Sequence, residues 1–283
     1  MIFWGMSFVW STIVFKYYDP ITTVFLRLVV SSGLIFLGLY LFKQLEKVKR
    51  RDYKLFLLSS LFNPFLYFLG ESFGLQMTSP TVSAVIIALI PVFTPVVAFF
   101  YLRERLTKLN IAGLVISFSG VLIMVLKSDL SLASSPLGIL CLLFAVLSAL
   151  GYAIQLKRLT VKYHPFTIIA VQNLIGAVYF LPMFLIFGYR NFVQVTLNFE
   201  LVSSLLQLAF FASSLAYVFY TFSARELGIS KANLMTNIIP VMTAIFSFII
   251  LGETFSATKI AGMAIVISGV ILSQAKGLRW FSG

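Results

Sequence analysis

Apolar residues run along the chain in long blocks separated by short polar or turn-rich breaks. A helix needs roughly 20 mostly apolar residues to cross about 30 Å of hydrocarbon. Ten blocks fit that measure, at about 2–15, 21–42, 54–74, 79–101, 109–126, 136–156, 166–188, 201–222, 230–250 and 258–275. The breaks, such as Lys16 to Pro20, Lys43 to Tyr53, Leu75 to Thr78 and Arg103 to Lys108, leave no room for a separate soluble domain. The pattern predicts one compact, all-α integral membrane domain of ten transmembrane helices. The first block, Ile2 to Phe15, has 14 residues, or about 21 Å at 1.5 Å per residue, too short to cross untilted. It has no basic segment before it and no small-x-small cleavage site, so a cleaved signal peptide does not fit. The expectation is that a few residues precede this start, or that the helix begins inside the membrane.

Composition narrows the class. Of 283 residues, 60% are hydrophobic and 11% charged, against about 25% charged in a typical soluble domain. Such a chain cannot cover its own surface with polar side chains, which excludes a soluble enzyme, a disordered protein and a coiled coil. A secreted disulfide scaffold is excluded because Cys141 is the single cysteine.

The net charge of +12 is informative through its distribution, since cytoplasmic loops collect Lys and Arg. Ten spans put both termini on one side. With the N-terminus cytoplasmic, the first cytoplasmic loop holds Lys43, Lys47, Lys49, Arg50, Arg51 and Lys54. The others hold Arg103, Arg105, Lys108, Lys157, Arg158, Lys162, Arg225, Lys231, Lys276 and Arg279, for a total of 16. The opposite side holds 4 (Lys16, Lys127, Arg190 and Lys259), and Arg27 lies inside a span. This predicts a multi-pass protein of a bacterial-type cytoplasmic membrane with both termini inside. Nucleic acid is not an expected partner, because no loop has the length or basic–aromatic pattern to hold it.

Residues 88–124 and 237–273 align at a constant offset of 149 with 14 of 37 positions identical, including Ile90, Pro91, Val92, Thr94, Glu104, Gly113 and Gly120. Upstream, Tyr18-Asp19-Pro20 echoes Tyr163-His164-Pro165, and Tyr67 echoes Tyr217. The chain therefore reads as two five-helix repeats, 1–128 and 136–283. Five is odd, so the second enters the membrane from the opposite side. Inverted-topology repeats are the architecture of alternating-access transporters, with the site at the repeat interface near the midplane.

The run Trp4-Gly5-x-Ser7-Phe8, followed by Lys16, Pro20 and Arg27, resembles the first-helix signature of the EamA branch of the drug/metabolite transporter superfamily. Ile90-Pro91-Val92 with Leu102-x-Glu104, Gly113 and Gly120, and Ile239-Pro240-Val241 with Leu251-Gly252-Glu253, Gly262 and Gly269, are similar to that family's paired motif. The family pattern usually has further residues before the position of Trp4. The resemblance implies a ten-helix, basket-like fold that moves small organic solutes, commonly as an exporter of amino acids or related metabolites.

Ionisable groups inside a bilayer are costly and mark candidate sites. Arg27 lies about seven residues, roughly 10 Å, inside the outer end of the second span, and Glu71 about four residues, roughly 6 Å, inside that of the third. Their similar depth makes an Arg27–Glu71 pair reasonable, with Glu71 binding a substrate amino group or carrying a proton, or the two forming a fixed helix–helix ion pair. Asn63 and Tyr67 extend a polar stripe with Glu71 at four-residue spacing, and Tyr217 and Ser213 form its counterpart in the eighth span. Pro91 and Pro240 are matched helix breaks, a pointer to a transport site; Pro64 and Pro95 add breaks in the first half. Asn233, Thr236 and Asn237, at i, i+3 and i+4, share a helical face as cavity lining or as interhelical bridges. Their first-half equivalents, Ala84, Ile87 and Ala88, are apolar, so a polar pocket would be lopsided. Trp4, Ser7, Trp10 and Ser11 are read on one face of the first span, with Gln155 in the sixth, and an aromatic pocket with a few polar groups suits an amphiphilic solute. Glu104 and Glu253 are expected to fix helix ends through caps or cross-repeat contacts. Gly113, Gly120, Gly262 and Gly269 are expected to allow close helix approach.

An intramembrane enzyme would need a catalytic set, and His164 is the sole histidine, in a loop, beside one cysteine. No metal or cofactor is expected. No filter-like loop or charge ring favours a channel or facilitator, and no glycine-rich phosphate cradle favours an ATP-driven pump. A secondary transporter remains, driven by protons or by the substrate's own gradient. Its expected partners are a small-molecule substrate and the lipid bilayer, a monomer sufficing for the fold.

Overall fold

The computed structural model describes residues 1–102, 107–125, 135–228, 232–233 and 235–273. Among these residues the elements are helices, with no strand. They are α1 (Ile2–Val14), α2 (Pro20–Leu41), α3 (53–76), α4 (Pro80–Ile87 continuing as Ile90–Leu102) and α5 (Lys108–Val125). Then follow α6 (Pro136–Thr160), α7 (Pro165–Gln194), α8 (Phe199–Glu226), α9 (Met235–Leu251) and α10 (Ala257–Ser273). Four of them, α2, α6, α7 and α8, are long and apolar enough to cross a membrane.

The starts are written locally. Proline opens α2, α4, α6 and α7, where its missing N–H costs nothing and its fixed φ suits a helix. Asp19 caps α2 by accepting from the Thr22 N–H at 2.9 Å, and Asn198 caps α8 by accepting from Leu201 N–H at 2.8 Å.

The packing inverts that of a soluble protein. Large apolar side chains such as Ile186, Phe187, Phe248 and Ile249 are exposed, while Thr22, Ser31, Gln172 and Asn173 are buried. In a bilayer the outward apolar side chains face lipid and the polar ones must find each other inside. Asn173 does so, donating to Ser31 Oγ at 2.7 Å and to the Ser213 carbonyl at 3.0 Å.

The glycines at the end of each half act as expected. A Cβ on Gly113 would come 2.5 Å from the Gly269 carbonyl, and one on Gly120 would come 2.8 Å from that of Gly262. The rising numbers on α5 meet falling numbers on α10, so the two helices cross antiparallel at backbone contact. Ser117 Oγ donates to the Val266 carbonyl at 3.4 Å between the two glycine crossings. Glu253 also fixes a helix end: after Gly252 turns left-handed (φ 66°), it accepts from Thr81 Oγ1 at 2.8 Å and Lys259 Nζ at 3.1 Å. Its counterpart Glu104 lies outside the described residues.

Candidate functional site

The sequence breaks three helices around one space. In α3 the residue before Pro64 is forced away from helical angles, and Asn63 sits at φ −147°, ψ 119°. The helix resumes at Tyr67. In α4 the chain turns at Ala88 and Leu89 just ahead of Pro91, and α9 opens with a tight 3-10 turn, Met235–Ile238, ahead of Pro240. Pro95, by contrast, lies within the helix Ile90–Leu102.

These breaks border a cavity with about 70 Å³ open to the centres of water molecules, where one water needs about 10–15 Å³. Its aromatic wall is Trp4, Phe8, Tyr67, Phe68, Tyr152, Tyr217 and Tyr220; its polar groups are Ser7, Arg27, Asn63, Glu71, Asn233 and Thr236. Trp4 meets Tyr217 edge-on at 4.9 Å and Tyr220 at 5.3 Å between ring centroids. The polar groups are held individually. Tyr67 donates to Glu71 Oε1 at 3.0 Å, Asn63 Nδ2 donates to the Tyr217 hydroxyl at 3.3 Å, and Tyr220 donates to Asn233 Oδ1 at 2.7 Å. Arg27 Nε donates to Ser213 Oγ at 2.8 Å, and its guanidinium carbon lies 4.4 Å from the centre of the Phe68 ring. That geometry combines a charge-assisted hydrogen bond with a cation–π contact.

Arg27 and Glu71 thus share the cavity without the expected direct bond: the ion pairs among the described residues do not include one between them. The arginine is drawn to α8 and to the Phe68 face, the carboxylate to Tyr67 one turn earlier on its own helix. The Ser213 bond uses one of the five guanidinium N–H donors.

Of the residues expected from sequence, Trp4, Ser7, Arg27, Asn63, Tyr67, Glu71, Tyr217, Asn233 and Thr236 line this cavity. Four do not. Trp10 packs on Phe211 at 6.0 Å in a separate cluster with Val14, Tyr18 and Leu201. Six residues at about 100° each turn it about 120° away from Trp4, so the two do not share a face. Asn237 is turned off because the 3-10 turn brings residues three apart into line. Thr236 therefore stays with Asn233, donating to its carbonyl at 2.6 Å, while Asn237 Oδ1 is buried with no partner among the described residues. Pro91 and Pro240 sit just behind the lining, which Ile87, Ala88, Ile90 and Ile239 provide. The continuous stripe expected on α3 is also interrupted, since Asn63 belongs to the break and Tyr67 begins the next helical segment. Phe8, Phe68, Tyr152 and Tyr220 also line the cavity, beyond the residues expected from sequence. Tyr220 had a signal, lying three residues after Tyr217; Tyr152 had none, and it enters through its bond to Gln172 Oε1 at 3.2 Å.

Two polar clamps stand at opposite ends of α2. At one, buried Asp52 accepts from Lys162 Nζ at 2.6 Å and the Tyr163 hydroxyl at 2.8 Å. These hydrogen bonds, that of Lys162 first, hold the carboxyl below the usual aspartate value. At the other, exposed Glu200 accepts from the Tyr17 hydroxyl at 2.6 Å and Lys16 Nζ at 3.4 Å.

The EamA-like transporter family matches residues 1–126 and again residues 136–274. An uncharacterized transporter of Archaeoglobus fulgidus is 27% identical over 279 residues, covering 98% of this chain and 95% of its own. The uncharacterized transporter YyaM of Bacillus subtilis is 25% identical over 284 residues, covering 96% and 90%. One solved crystal structure shares the fold, with a TM-score of 0.70 at 13% identity over 96% of each chain. The molecule is a multi-pass membrane protein of the transporter class. The chain belongs to the EamA-like transporter family.

Proposed function

We propose that the protein is a secondary transporter that exports small amphiphilic metabolites, amino acids or related solutes, across the cytoplasmic membrane by alternating access. The observation that carries this reading is the cavity in which Arg27 and Glu71 stand apart among aromatic rings. Opposite charges held separately, each with hydrogen-bonding capacity in reserve, suit a zwitterion whose carboxylate meets Arg27 and whose ammonium meets Glu71. The aromatic wall takes the apolar part.

The same proposal takes the chain as ten spans in two inverted repeats, 1–128 and 136–283, with both termini cytoplasmic. The α5–α10 crossing supports it. Adding 149 to Gly113 gives Gly262 and to Gly120 gives Gly269, so each glycine contact is the exchange partner of the other, and Ser117 meets its own equivalent, Val266. The clamps support it as well: in each, a carboxylate at the start of one helix takes up a Lys-Tyr pair after another, Lys162-Tyr163 with Asp52 and Lys16-Tyr17 with Glu200. In this reading they are inner and outer gates, both formed in this structure and opened in turn around the cavity. The charges are confined to one half. At the offset of 145 that joins Tyr18 to Tyr163, Arg27 corresponds to Gln172; at the offset of 150 that joins Tyr67 to Tyr217, Glu71 corresponds to Thr221.

The test is flux from proteoliposomes loaded with labelled amino acids and zwitterionic amphiphiles, with and without a proton gradient. Saturable counterflow of one chemical class supports the proposal, and dependence on the gradient identifies protons as driver. Non-saturable flux would make the protein a channel or facilitator, and flux equal to that of empty vesicles for every class would remove the metabolite reading.

A further inference from the structure

A second, much larger concavity lies away from the cavity described above, between the start of α3 and the end of α6. Its volume is about 720 Å³, and it is lined by Arg51, Asp52, Lys54, Leu55, Leu58, Gln155, Lys157, Arg158, Val161 and Lys162. Five cationic side chains face one carboxylate, and that carboxylate is already occupied by Lys162 at 2.6 Å. The excess positive charge calls for an anion. The apolar part of the lining, Leu55, Leu58 and Val161, is not what a fully hydrated anion would select; Leu58 is 41% and Val161 85% exposed. The groove joins a basic wall to bare apolar side chains at the ends of two membrane helices, the level at which phosphate headgroups meet acyl chains. The wall also includes buried Gln155, whose Oε1 has no hydrogen-bond partner among the described residues. An acceptor without a donor, inside a cationic groove, asks for a ligand that is anionic and also carries a hydroxyl.

We propose that this groove binds an anionic phospholipid with a hydroxyl-bearing headgroup, its phosphate held by Lys54, Lys157 and Arg158, a headgroup hydroxyl donating to Gln155, and an acyl chain along Leu55, Leu58 and Val161.

The experiment titrates the purified full-length protein in detergent with phosphatidylglycerol, phosphatidic acid, phosphatidylcholine and, as a soluble phosphate, glycerol phosphate, reading bound lipid by native mass spectrometry. Phosphatidylglycerol is expected to bind at least about ten-fold more tightly than phosphatidylcholine, each nearby Lys or Arg adding to the attraction. The double variant Lys54→Gln/Arg158→Gln is expected to lose that preference. Lys43→Gln/Lys47→Gln, which removes the same charge from the same face outside the groove, is expected to keep it, and Lys54→Arg/Arg158→Lys controls for folding. The wild type is expected to bind phosphatidylglycerol more tightly than phosphatidic acid, and the Gln155→Leu variant to bind phosphatidylglycerol no more tightly than phosphatidic acid, with its affinity for phosphatidic acid unchanged. Equal binding of phosphatidylcholine, equal losses in the two double variants, or competition by glycerol phosphate at matched concentration each overturns the proposal; the last would assign the groove to a soluble phosphate.

Discussion

Arg27 on α2 donates through Nε to Ser213 Oγ on α8, at 2.8 Å and across 186 positions of sequence. The bond ties together helices from the two family-matched stretches of the chain and fixes the orientation of the one arginine that lines the cavity. Replacing it tests both roles. Arg27→Lys keeps the charge but loses the Nε donor to Ser213 and the guanidinium that lies 4.4 Å from the centre of the Phe68 ring; a desolvated cation–π contact, which Arg27→Ala removes outright, is worth about 2 kcal/mol. Thermal melts in detergent are expected to show a modest loss for Arg27→Lys and a larger one for Arg27→Ala. Transport is expected to fall with both. Wild-type transport by Arg27→Ala would exclude the residue from substrate binding.

Glu71→Gln is expected to abolish transport while leaving the fold intact, because the amide can still accept from Tyr67, as Oε1 does at 3.0 Å, but cannot bind an ammonium as a charge partner or carry a proton. A vesicle flux assay beside a thermal melt checks this. Full transport with an unchanged melt would remove Glu71 from the mechanism.

The Tyr220 hydroxyl supplies Asn233 Oδ1 at 2.7 Å in the cavity wall. Tyr220→Phe leaves that acceptor short of a strong donor, at a cost of about 1–3 kcal/mol for an unsatisfied buried group. The expected readout is a lowered melting temperature, with the loss reduced when Asn233→Leu is added. Two additive losses would show that the bond is not what holds this corner.

Gly113→Val and Gly262→Val should each force α5 and α10 apart, since even the first added carbon meets backbone, at 2.5 Å for Gly113 and 2.8 Å for Gly262. Overpacking of this kind costs about 1–3 kcal/mol. A melt of each variant checks the size of the effect; no change would mean that the helices do not cross at these glycines.

The Asp52 clamp carries a pH signature. Its carboxyl is held below the usual value by the hydrogen bonds of Lys162 and Tyr163, so the unfolded chain binds this proton more readily than the folded one. The stabilisation is complete above the unfolded value of about 3.9 and is lost as pH falls through the lower folded value. Asp52→Asn is therefore expected to melt below the wild type at pH 7, with the gap closing as the pH drops below about 4. A gap independent of pH would assign the clamp's contribution to packing instead of charge.

Much of the candidate site was legible in the chain because its signals are local. Glu71 and Arg27 stood out as charges in apolar runs, and Tyr67 and Glu71 meet at i, i+4, where one helical turn guarantees proximity. Pro91 and Pro240 announced breaks, and the residues just ahead of them do line the cavity. The failures were failures of helical phase. Trp10 leaves the face of Trp4 because six residues of an ordinary helix turn it about 120° away, and Asn237 leaves that of Asn233 because the tighter pitch at the start of α9 changes which side chains come round.

The sequence alone determined where the helices run and which residues are too polar to face lipid. In hydrocarbon every backbone donor must be satisfied within its own segment, so a long apolar run has no choice but helix, and its ends are set by nearby caps and prolines. The tertiary structure decided the partners: Ser213 instead of Glu71 for Arg27, Tyr217 for Asn63, and Tyr152 and Tyr220 as cavity walls. Lipid is as apolar as the helices it surrounds, so hydrophobicity does not rank one helix pairing over another. That choice falls to close packing and to a few polar contacts between residues far apart in the chain.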